Sequence, residues 1–283
     1  MVNLRSVFMV SASLLVPAVV HADCQMVMPG QPGGKPNTII FQGCNIEINN
    51  GAGSTSTING LGNLVIGYNE PRPDTTPTDR AGSHNLIVGV RHHYPSYAGV
   101  AFGRQNTVSG PYATVTGGGQ NVASGNRAAV GGGQKNESSN DYASVCGGSG
   151  NKASGTYAAV SGGNLGTASG ESSAVVGGIQ NTASGVGASV TGGNLNSARG
   201  SAASVSGGLA NTARTLVDSV SGGYVNVASG GNAWVGGGTF NFADGEGSTV
   251  SGGSHNHASG GGATVSGGGF NQAFTDISSI SGG

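Results

Sequence analysis

The chain contains few charged, aromatic, proline and cysteine residues. Charged residues make up 8% of its 283 residues, aromatic residues 5%, and the formal net charge is -1. This composition provides no basic surface for nucleic acid or for an anionic membrane. Proline occurs only 9 times and glycine follows no triplet period, which excludes a proline-rich linker and a collagen helix. The low net charge also argues against ordinary disorder.

Glycine, by contrast, is abundant, and it recurs within a regular repeat. The chain has 57 glycines. A step of 15 residues from Val100 meets a β-branched aliphatic residue at every landing. The landings are Val100, Val115, Val130, Val145, Val160, Val175, Val190, Val205, Val220, Val235, Val250, Val265 and Ile280. Such a fixed period is typical of a repeat protein.

Each recurring residue type has a predicted structural role, which residues 205–214 (Val-Ser-Gly-Gly-Leu-Ala-Asn-Thr-Ala-Arg) illustrate. The valine is the inward residue of a short strand, because alternation sends its neighbours to the opposite face. Glycine stands three residues after it in every repeat, which predicts a corner with a positive φ or a close backbone approach. Alanine stands eight residues after it in 10 of 12 repeats, with Val108 and Ser138 as replacements, and is a second, smaller inward residue.

Asparagine stands six residues after the valine in 11 of the 12 repeats that reach that far, and Gly166 is the exception. Two roles remain open for it. It is either a turn residue that bonds to neighbouring backbone, or a member of a ladder of amides that runs from rung to rung. The candidate ladder residues are Asn106, Asn121, Asn136, Asn151, Asn181, Asn196, Asn211, Asn226, Asn241, Asn256 and Asn271.

A 15-residue rung with two brief strands and glycine corners predicts an all-β fold, a parallel β-solenoid or β-roll. The many glycines exclude helices, and a β-propeller needs blades of about 40 residues. Thirteen rungs would form a rod about 60 Å long. One valine and one or two alanines are a thin apolar interior for so many ordered residues. We therefore expect a homo-oligomer, a trimer, whose chains share a core.

The first 22 residues predict a signal peptide. Arg5 gives a positive start, residues 7–20 form an apolar run, and a small-residue cleavage site ends at Ala22. A membrane anchor is the alternative, but the run is short and Pro17 interrupts it. We expect the chain to be exported.

Export to an oxidising compartment makes Cys24 and Cys44 a candidate disulfide, with two free thiols as the alternative. Asp23 argues against lipidation of Cys24, because a small residue normally precedes a lipidated cysteine. Residues 38–41 and 45–48 alternate apolar side chains and predict short strands that begin or cap the stack.

These patterns divide the chain into four predicted segments. They are the signal peptide at residues 1–22, a capping segment at 23–59, degenerate rungs at 60–97 with a surface loop at 69–82, and regular rungs at 98–283. The loop contains prolines, each of which removes a backbone donor. The chain stops inside a rung, which predicts a fragment of a longer protein.

The regular rungs resemble the YadA-like head of trimeric autotransporter adhesins, whose slightly shorter rungs read Ser-Val-Ala-Ile-Gly before a second short strand. Residues 203–208 match the first strand and residues 212–213 the second. The resemblance implies a left-handed β-roll of three chains around one axis and adhesion at a bacterial surface. Gly207 departs from it by replacing an inward isoleucine. Residues 80–110 also resemble a group of exported bacterial repeat proteins.

Residues with catalytic or metal-binding chemistry are scarce. His255 and His257 flank Asn256, and His92 precedes His93, but no carboxylate or thiolate completes a metal site at a recognisable spacing. We predict that these histidines occupy solvent-exposed variable positions. Cys146 occupies a slot that usually holds serine or threonine, so it is a structural substitution. We expect no enzymatic activity, no cofactor and no metal.

The predicted function is that of a non-enzymatic, adhesin-like scaffold at the bacterial cell surface, either associated with the outer membrane or extracellular. Its partners would be two further copies of the chain and a host, matrix or cell-surface ligand, with no nucleic acid and no membrane insertion by this segment. Leu209-Ala210 and Thr215-Leu216 are positions that the repeat leaves free for contacts. Several aromatic residues are either contact residues or packing between rungs: Trp234, Tyr224, Phe240, Phe242 and Phe270.

Two further functions remain open, namely the shaft of a trimeric fibre and an ice-binding solenoid. Ice binding would use rows of hydroxyl groups on both sides of the valine column, which Ala159, Ala174 and Trp234 interrupt. These hydroxyl pairs include Thr114 and Thr116, Ser189 and Thr191, Ser204 and Ser206, and Thr249 and Ser251. A polysaccharide-cleaving enzyme is disfavoured, because no paired carboxylates lie in register between rungs.

Overall fold

The computed structural model describes residues 25–27, 37–72 and 80–283. The predicted signal peptide, residues 1–22, lies outside the described residues. The chain divides into two units, and the second unit is Ile48–Gly283.

The first unit contains a small antiparallel sheet. Strand β1 (Gln25–Val27) pairs with β2 (Ile40–Gln42), with Met26 opposite Phe41. The strand predicted at residues 38–41 is therefore confirmed over its second half. Its pairing is antiparallel, unlike that of a solenoid rung.

The second unit begins with an irregular segment, residues 48–63. The strand predicted at residues 45–48 is wrong, because none forms there. Polar side chains bond to backbone in this region instead. Asn50 is buried, its Nδ2 donates to the Thr57 carbonyl over 2.7 Å, and its N–H donates to His84 Nε2 over 3.1 Å. Such local bonds compete with the ladder of a sheet.

The rest of the second unit is a β-solenoid of about 13 turns with about 15 residues per rung, which confirms the predicted all-β class and parallel stacking. Its larger sheet has 15 strands, all of them parallel. The strands are β3 (Leu64–Ile66), β4 (Leu86–Val90), β5 (Val100–Arg104), β7 (Thr114–Val115), β9 (Ala129–Val130), β11 (Ser144–Val145), β13 (Ala159–Val160), β15 (Ala174–Val175), β17 (Ser189–Val190), β19 (Ser204–Val205), β21 (Ser219–Val220), β23 (Trp234–Val235), β25 (Thr249–Val250), β27 (Thr264–Val265) and β29 (Ser279–Ile280).

The second sheet has 12 parallel strands, one from each successive rung. The strands are β6 (Thr107–Val108), β8 (Val122–Ala123), β10 (Glu137–Ser138), β12 (Lys152–Ala153), β14 (Thr167–Ala168), β16 (Thr182–Ala183), β18 (Ser197–Ala198), β20 (Thr212–Ala213), β22 (Val227–Ala228), β24 (Phe242–Ala243), β26 (His257–Ala258) and β28 (Gln272–Ala273). A third ladder of single parallel bridges runs from Arg104–Gly119 to Ser254–Gly269. Each regular rung is thus joined to its neighbours along three lines.

The strict 15-residue step begins at Val115, and the prediction that Val100 belongs to the valine column is wrong. Ala101 pairs with Val115 and Ile87 pairs with Ala101, so these two steps span 14 residues. Strand β5 continues to Arg104, whereas the later strands end at the valine. The glycine corner that follows each later valine takes one more residue, and this lengthens the rung.

The interior consists of three columns of small side chains. Val205 and Ala213, at 1% and 0% exposure, represent the two predicted inward columns, and both are confirmed. Ala203, two residues before the valine, represents the third and is also fully buried. The described chain closes this interior by itself.

Glycine forms the corner after each valine, as predicted. Gly208 has a φ of 86°, and the equivalent glycines from Gly118 to Gly268 also have positive φ. A Cβ atom at Gly208 would collide with the carbonyl oxygen of Gly223 in the next rung. Glycine is required here both for the backbone conformation and for the close approach of two rungs.

The predicted surface loop at residues 69–82 folds back onto the first rungs. Arg72 Nε donates to the Arg91 carbonyl over 3.1 Å, and its Nη2 donates to Thr107 Oγ1 over 3.0 Å. Thr107 lies in β6, the first strand of the second sheet. The backbone of Thr107 is already bridged to His93, so Arg72 fixes the loop to the side chain of this strand and to the corner beside it. Residues 73–79 of this loop lie outside the described residues.

Candidate functional surfaces

The asparagine side chains form a ladder along the solenoid and also bond to the corners. Asn211 accepts the N–H of Asn226 on Oδ1 over 2.9 Å, and its own N–H donates to Asn196 Oδ1 over 2.9 Å. Its Nδ2 donates to the carbonyls of Gly207 and Gly223, over 2.8 and 2.9 Å. A single side chain therefore fills both roles that the sequence left open.

The ladder has two runs, separated at Gly166. Within the runs the asparagines are fully or almost fully buried, except for Asn271 in the last rung, which is half-buried. Gly166 donates its N–H to Asn151 Oδ1 over 2.8 Å but has no side chain to continue the ladder. Among the described residues, the N–H of Asn181 has no acceptor. The runs comprise Asn106, Asn121, Asn136 and Asn151, and then Asn181, Asn196, Asn211, Asn226, Asn241, Asn256 and Asn271.

His92 occupies the ladder position ahead of Asn106, and the prediction that it is exposed is wrong. Its exposed fraction is 1%. Nδ1 accepts the N–H of Asn106 over 3.3 Å, and Nε2 contacts the Val88 carbonyl at 3.1 Å. These two nitrogens reproduce the acceptor and the donor of an asparagine amide. Burial lowers the pKa of His92 below its ordinary value, with a smaller contribution from the positive charge of Arg72.

The other three predicted histidines lie nearer the surface. His255 is exposed, as predicted, and stacks on Phe270 with ring centroids 4.8 Å apart. His257 and His93 are only half-buried. His257 Nε2 lies 2.7 Å from Asp244 Oδ1. In the described part of the chain no three His, Cys, Asp or Glu side chains cluster as a metal site would require.

The cysteines have different environments. Cys146 is an exposed free thiol beside the buried Val145. Cys44 is disulfide-bonded. Its predicted partner, Cys24, lies outside the described residues, so that pairing stays a prediction.

Asp218 is a fully buried carboxylate that the repeat pattern did not single out. It occupies the third inward column, where most rungs have alanine. Oδ1 accepts the N–H groups of Gly231 and Ala233, over 2.9 and 3.0 Å. Oδ2 accepts the N–H and the hydroxyl of Thr215, over 2.7 and 2.6 Å. Four donors thus satisfy the charge, and Asp218 ties two rungs together.

The residues on either side of each first-sheet valine form an outward surface, which we call the hydroxyl face. The residue before the valine is half-buried in most rungs, and the residue after it is exposed in nearly all. Neither position carries a charged residue in any rung from Thr114 to Ser281. Ser204 donates to Ser219 Oγ over 3.0 Å, so hydroxyl groups of adjacent rungs can bond along this face.

Large apolar and aromatic residues line one corner of the solenoid. The corner stripe consists of one residue per rung, one or two residues before the ladder position: Leu165, Ile179, Leu195, Leu209, Tyr224, Phe240, His255 and Phe270. Tyr224 and Phe240 contact each other with ring centroids 5.3 Å apart, and Phe240 and His255 do so at 5.0 Å. Yet Leu165 and Phe270 remain 50% and 76% exposed, so packing between rungs leaves much of the stripe accessible. The sequence pattern indicates the aromatic members and Leu209, but not Leu165, Ile179 and Leu195.

A second stripe, which the sequence pattern had not indicated, lies on the corner before the third inward column. Arg127 lies over the rings of Tyr112 and Tyr142, with its guanidinium carbon 5.4 and 5.3 Å from their centroids. Tyr157 stacks on Tyr142 with centroids 4.9 Å apart, and Tyr97 contacts Tyr112 at 5.3 Å. The signal in the sequence is a tyrosine or arginine at the same position of successive rungs.

Two further findings concern the whole described chain. Its described residues include no helix long and apolar enough to cross a membrane. In comparisons with known proteins, no family model and no curated protein matches the chain.

Proposed function

We propose that the chain is a non-enzymatic, exported scaffold at the bacterial surface, adhesin-like, which presents its outer faces to a cell or matrix ligand. The observation that carries this proposal is the separation of roles within each rung. The inward side chains are small and repetitive, whereas the outward positions vary and include exposed apolar groups such as Leu216 and Val217. A scaffold of this kind keeps its fold while its contact residues change.

The test is attachment of the purified chain to candidate ligands. Collagen, fibronectin, a glycan array and whole cells would be coated and probed with the full-length chain. We expect saturable binding to at least one of them. Absence of binding to every one would contradict the proposal.

We further propose that the chain forms a left-handed roll and assembles as a homotrimer. The support is the corner stripe and not the interior, which one chain already closes. Leu165 and Leu195 are half exposed, and their φ angles are 56° and 59°. Every regular rung has a positive φ at this position, as at Lys135 and Gln180, so the backbone holds the side chain outward whatever the residue is. Exposed apolar side chains that follow one another along a corner favour an interface, and three corners meeting at one axis would bury them.

Light scattering tests this assembly. The double variant Leu165→Asn, Leu195→Asn should remain folded, because asparagine tolerates a positive φ, and should shift the molar mass towards that of one chain. A wild-type chain that is monomeric would contradict the trimer. The same assembly would also suit the shaft of a fibre.

Ice binding is the second candidate function, favoured by the hydroxyl face. Uncharged hydroxyl groups repeat there with the rung spacing, as at Ser189 and Thr191. Trp234 interrupts the rows and weighs against this function. A thermal-hysteresis measurement at millimolar protein should show a freezing-point gap if ice is the ligand, and no gap would exclude it.

A further inference from the structure

Trp234 stands out on the hydroxyl face. It is the only tryptophan of the chain, and it occupies a position where the other rungs from Thr114 onward have serine, threonine or alanine. Its side chain is held in place, because Nε1 donates to Ser221 Oγ of the preceding rung over 3.1 Å. Even so, the residue remains 39% exposed. An indole that is fixed and still accessible is a preorganised contact surface.

The indole covers Gly236, two residues further along the same strand direction. A Cβ atom at Gly236 would lie 2.9 and 3.0 Å from Cη2 and Cζ2 of the ring. Gly236 is half-buried, whereas the equivalent residues from Thr116 to Ser281 are exposed. The ring therefore rests on the surface of the sheet, and its other side faces solvent.

Hydroxyl groups without partners follow this ring along the hydroxyl face, on the side of the next rungs. In the described chain, the side chains of Thr249, Ser251, Thr264 and Ser266 make no hydrogen bond to other residues. They belong to the next two rungs of the same face, which carries no charge. The surface thus combines one flat aromatic ring with a line of neutral donors and acceptors.

We propose that Trp234 and these flanking hydroxyl groups bind a neutral saccharide. The C–H face of a pyranose ring is apolar and flat enough to stack on an indole, and its hydroxyl groups match those of serine and threonine. A linear neutral glycan can extend from the indole along successive rungs. A phosphate-bearing or uronate-rich polymer would find no cation here to neutralise it. The inference rests on the proposed attachment function, for which it names a ligand class.

The test uses the emission of the single tryptophan. Cellohexaose, laminarihexaose, chitohexaose and maltohexaose would be titrated into the full-length chain, with heparin as an anionic probe. We expect a saturable change in emission with at least one neutral probe and none with heparin. Calorimetry would give the affinity of the same pairs, independently of the fluorophore.

Two variants assign the binding to this site. Trp234→Ser gives the rung a residue that neighbouring rungs have, so folding should persist, as circular dichroism would show. We expect its affinity for the neutral probe to fall at least about tenfold. Phe242→Thr is the matched control, because Phe242 is also 39% exposed but lies on the second sheet. Its affinity should be unchanged.

Failure of this inference differs from failure of the attachment function. No calorimetric binding of any neutral probe, equal binding of heparin, or full affinity in folded Trp234→Ser would each overturn the saccharide site. If the chain still attaches to collagen, fibronectin or cells in that case, the scaffold proposal stands. Saccharide binding with no attachment to any coated surface or cell would contradict the scaffold proposal alone.

Discussion

Replacement of Asn211 by alanine removes three hydrogen bonds from the interior of the ladder. The carbonyls of Gly207 and Gly223 lose the Nδ2 donor, and the N–H of Asn226 loses its acceptor. Gly223 keeps a second donor, the N–H of Leu209. The cost therefore falls mainly on the Gly207 carbonyl and the Asn226 N–H, at about 1–3 kcal/mol for each group left unpaired. We expect the free energy of unfolding to fall by about 2–4 kcal/mol.

Gly166 allows the opposite change in the same chain. Gly166→Asn would fill the gap in the ladder and give the N–H of Asn181 an acceptor. A Cβ atom at Gly166 would lie 3.2 Å from both Asn151 Oδ1 and Val175 Cγ1, so the fit is tight. We expect Gly166→Asn to raise the free energy of unfolding by about 1 kcal/mol. Gly166→Ala is the control, because it shows how much of this gain comes only from the lower conformational freedom of the unfolded chain.

Thermal and urea unfolding, followed by circular dichroism, measure these changes. Because each rung contacts only its neighbours, local opening can precede global unfolding, so hydrogen exchange should accompany the melts. An Asn211→Ala variant as stable as the wild type would refute the reasoning. So would a Gly166→Asn variant that is less stable than Gly166→Ala.

Three further predictions concern single positions. Because burial lowers the pKa of His92, protonation of this side chain opposes folding. The free energy of unfolding should therefore decrease as the pH falls from about 6.5 towards the lowered pKa of the folded state. Urea titrations at several pH values measure this decrease, and His92→Asn should remove it. Gly208→Ala should lower the melting temperature, because its Cβ meets the Gly223 carbonyl, and an unchanged value would contradict the corner geometry. Asp218→Ala should lower the free energy of unfolding by about 2–4 kcal/mol, because it leaves buried donors unpaired. This holds although alanine is the usual residue at this position of the rung. A variant that calorimetry shows to be as stable as the wild type would contradict it.

The regular part of the fold could be predicted because each rung repeats the same physical requirement. Valine and alanine recur where a side chain faces the interior, as at Val205, and glycine recurs where the backbone turns a tight corner, as at Gly208. The first rungs could not be placed so well. Val100 and Ala101 are both apolar, and only the pairing of β5 with β4 decides which of them faces inward.

The candidate surfaces were less predictable, since they depend on neighbours in other rungs. His92 looks like a variable residue until the 14-residue step of the first rungs is known, which places it one rung ahead of Asn106. Asp218 looks unfavourable inside a solenoid until Thr215 and the next rung supply its donors. The covering of Gly236 by Trp234 likewise depends on how the indole turns, which a sequence does not state.

The central claim is that buried asparagine side chains join each rung to the next. Residue-resolved hydrogen exchange of the native chain tests it most directly, because the N–H of Asn181 has the same burial as those of Asn196, Asn211 and Asn226 but lacks their acceptor. We predict that Asn181 exchanges faster than these three. Equal protection of all four N–H groups would contradict the claim.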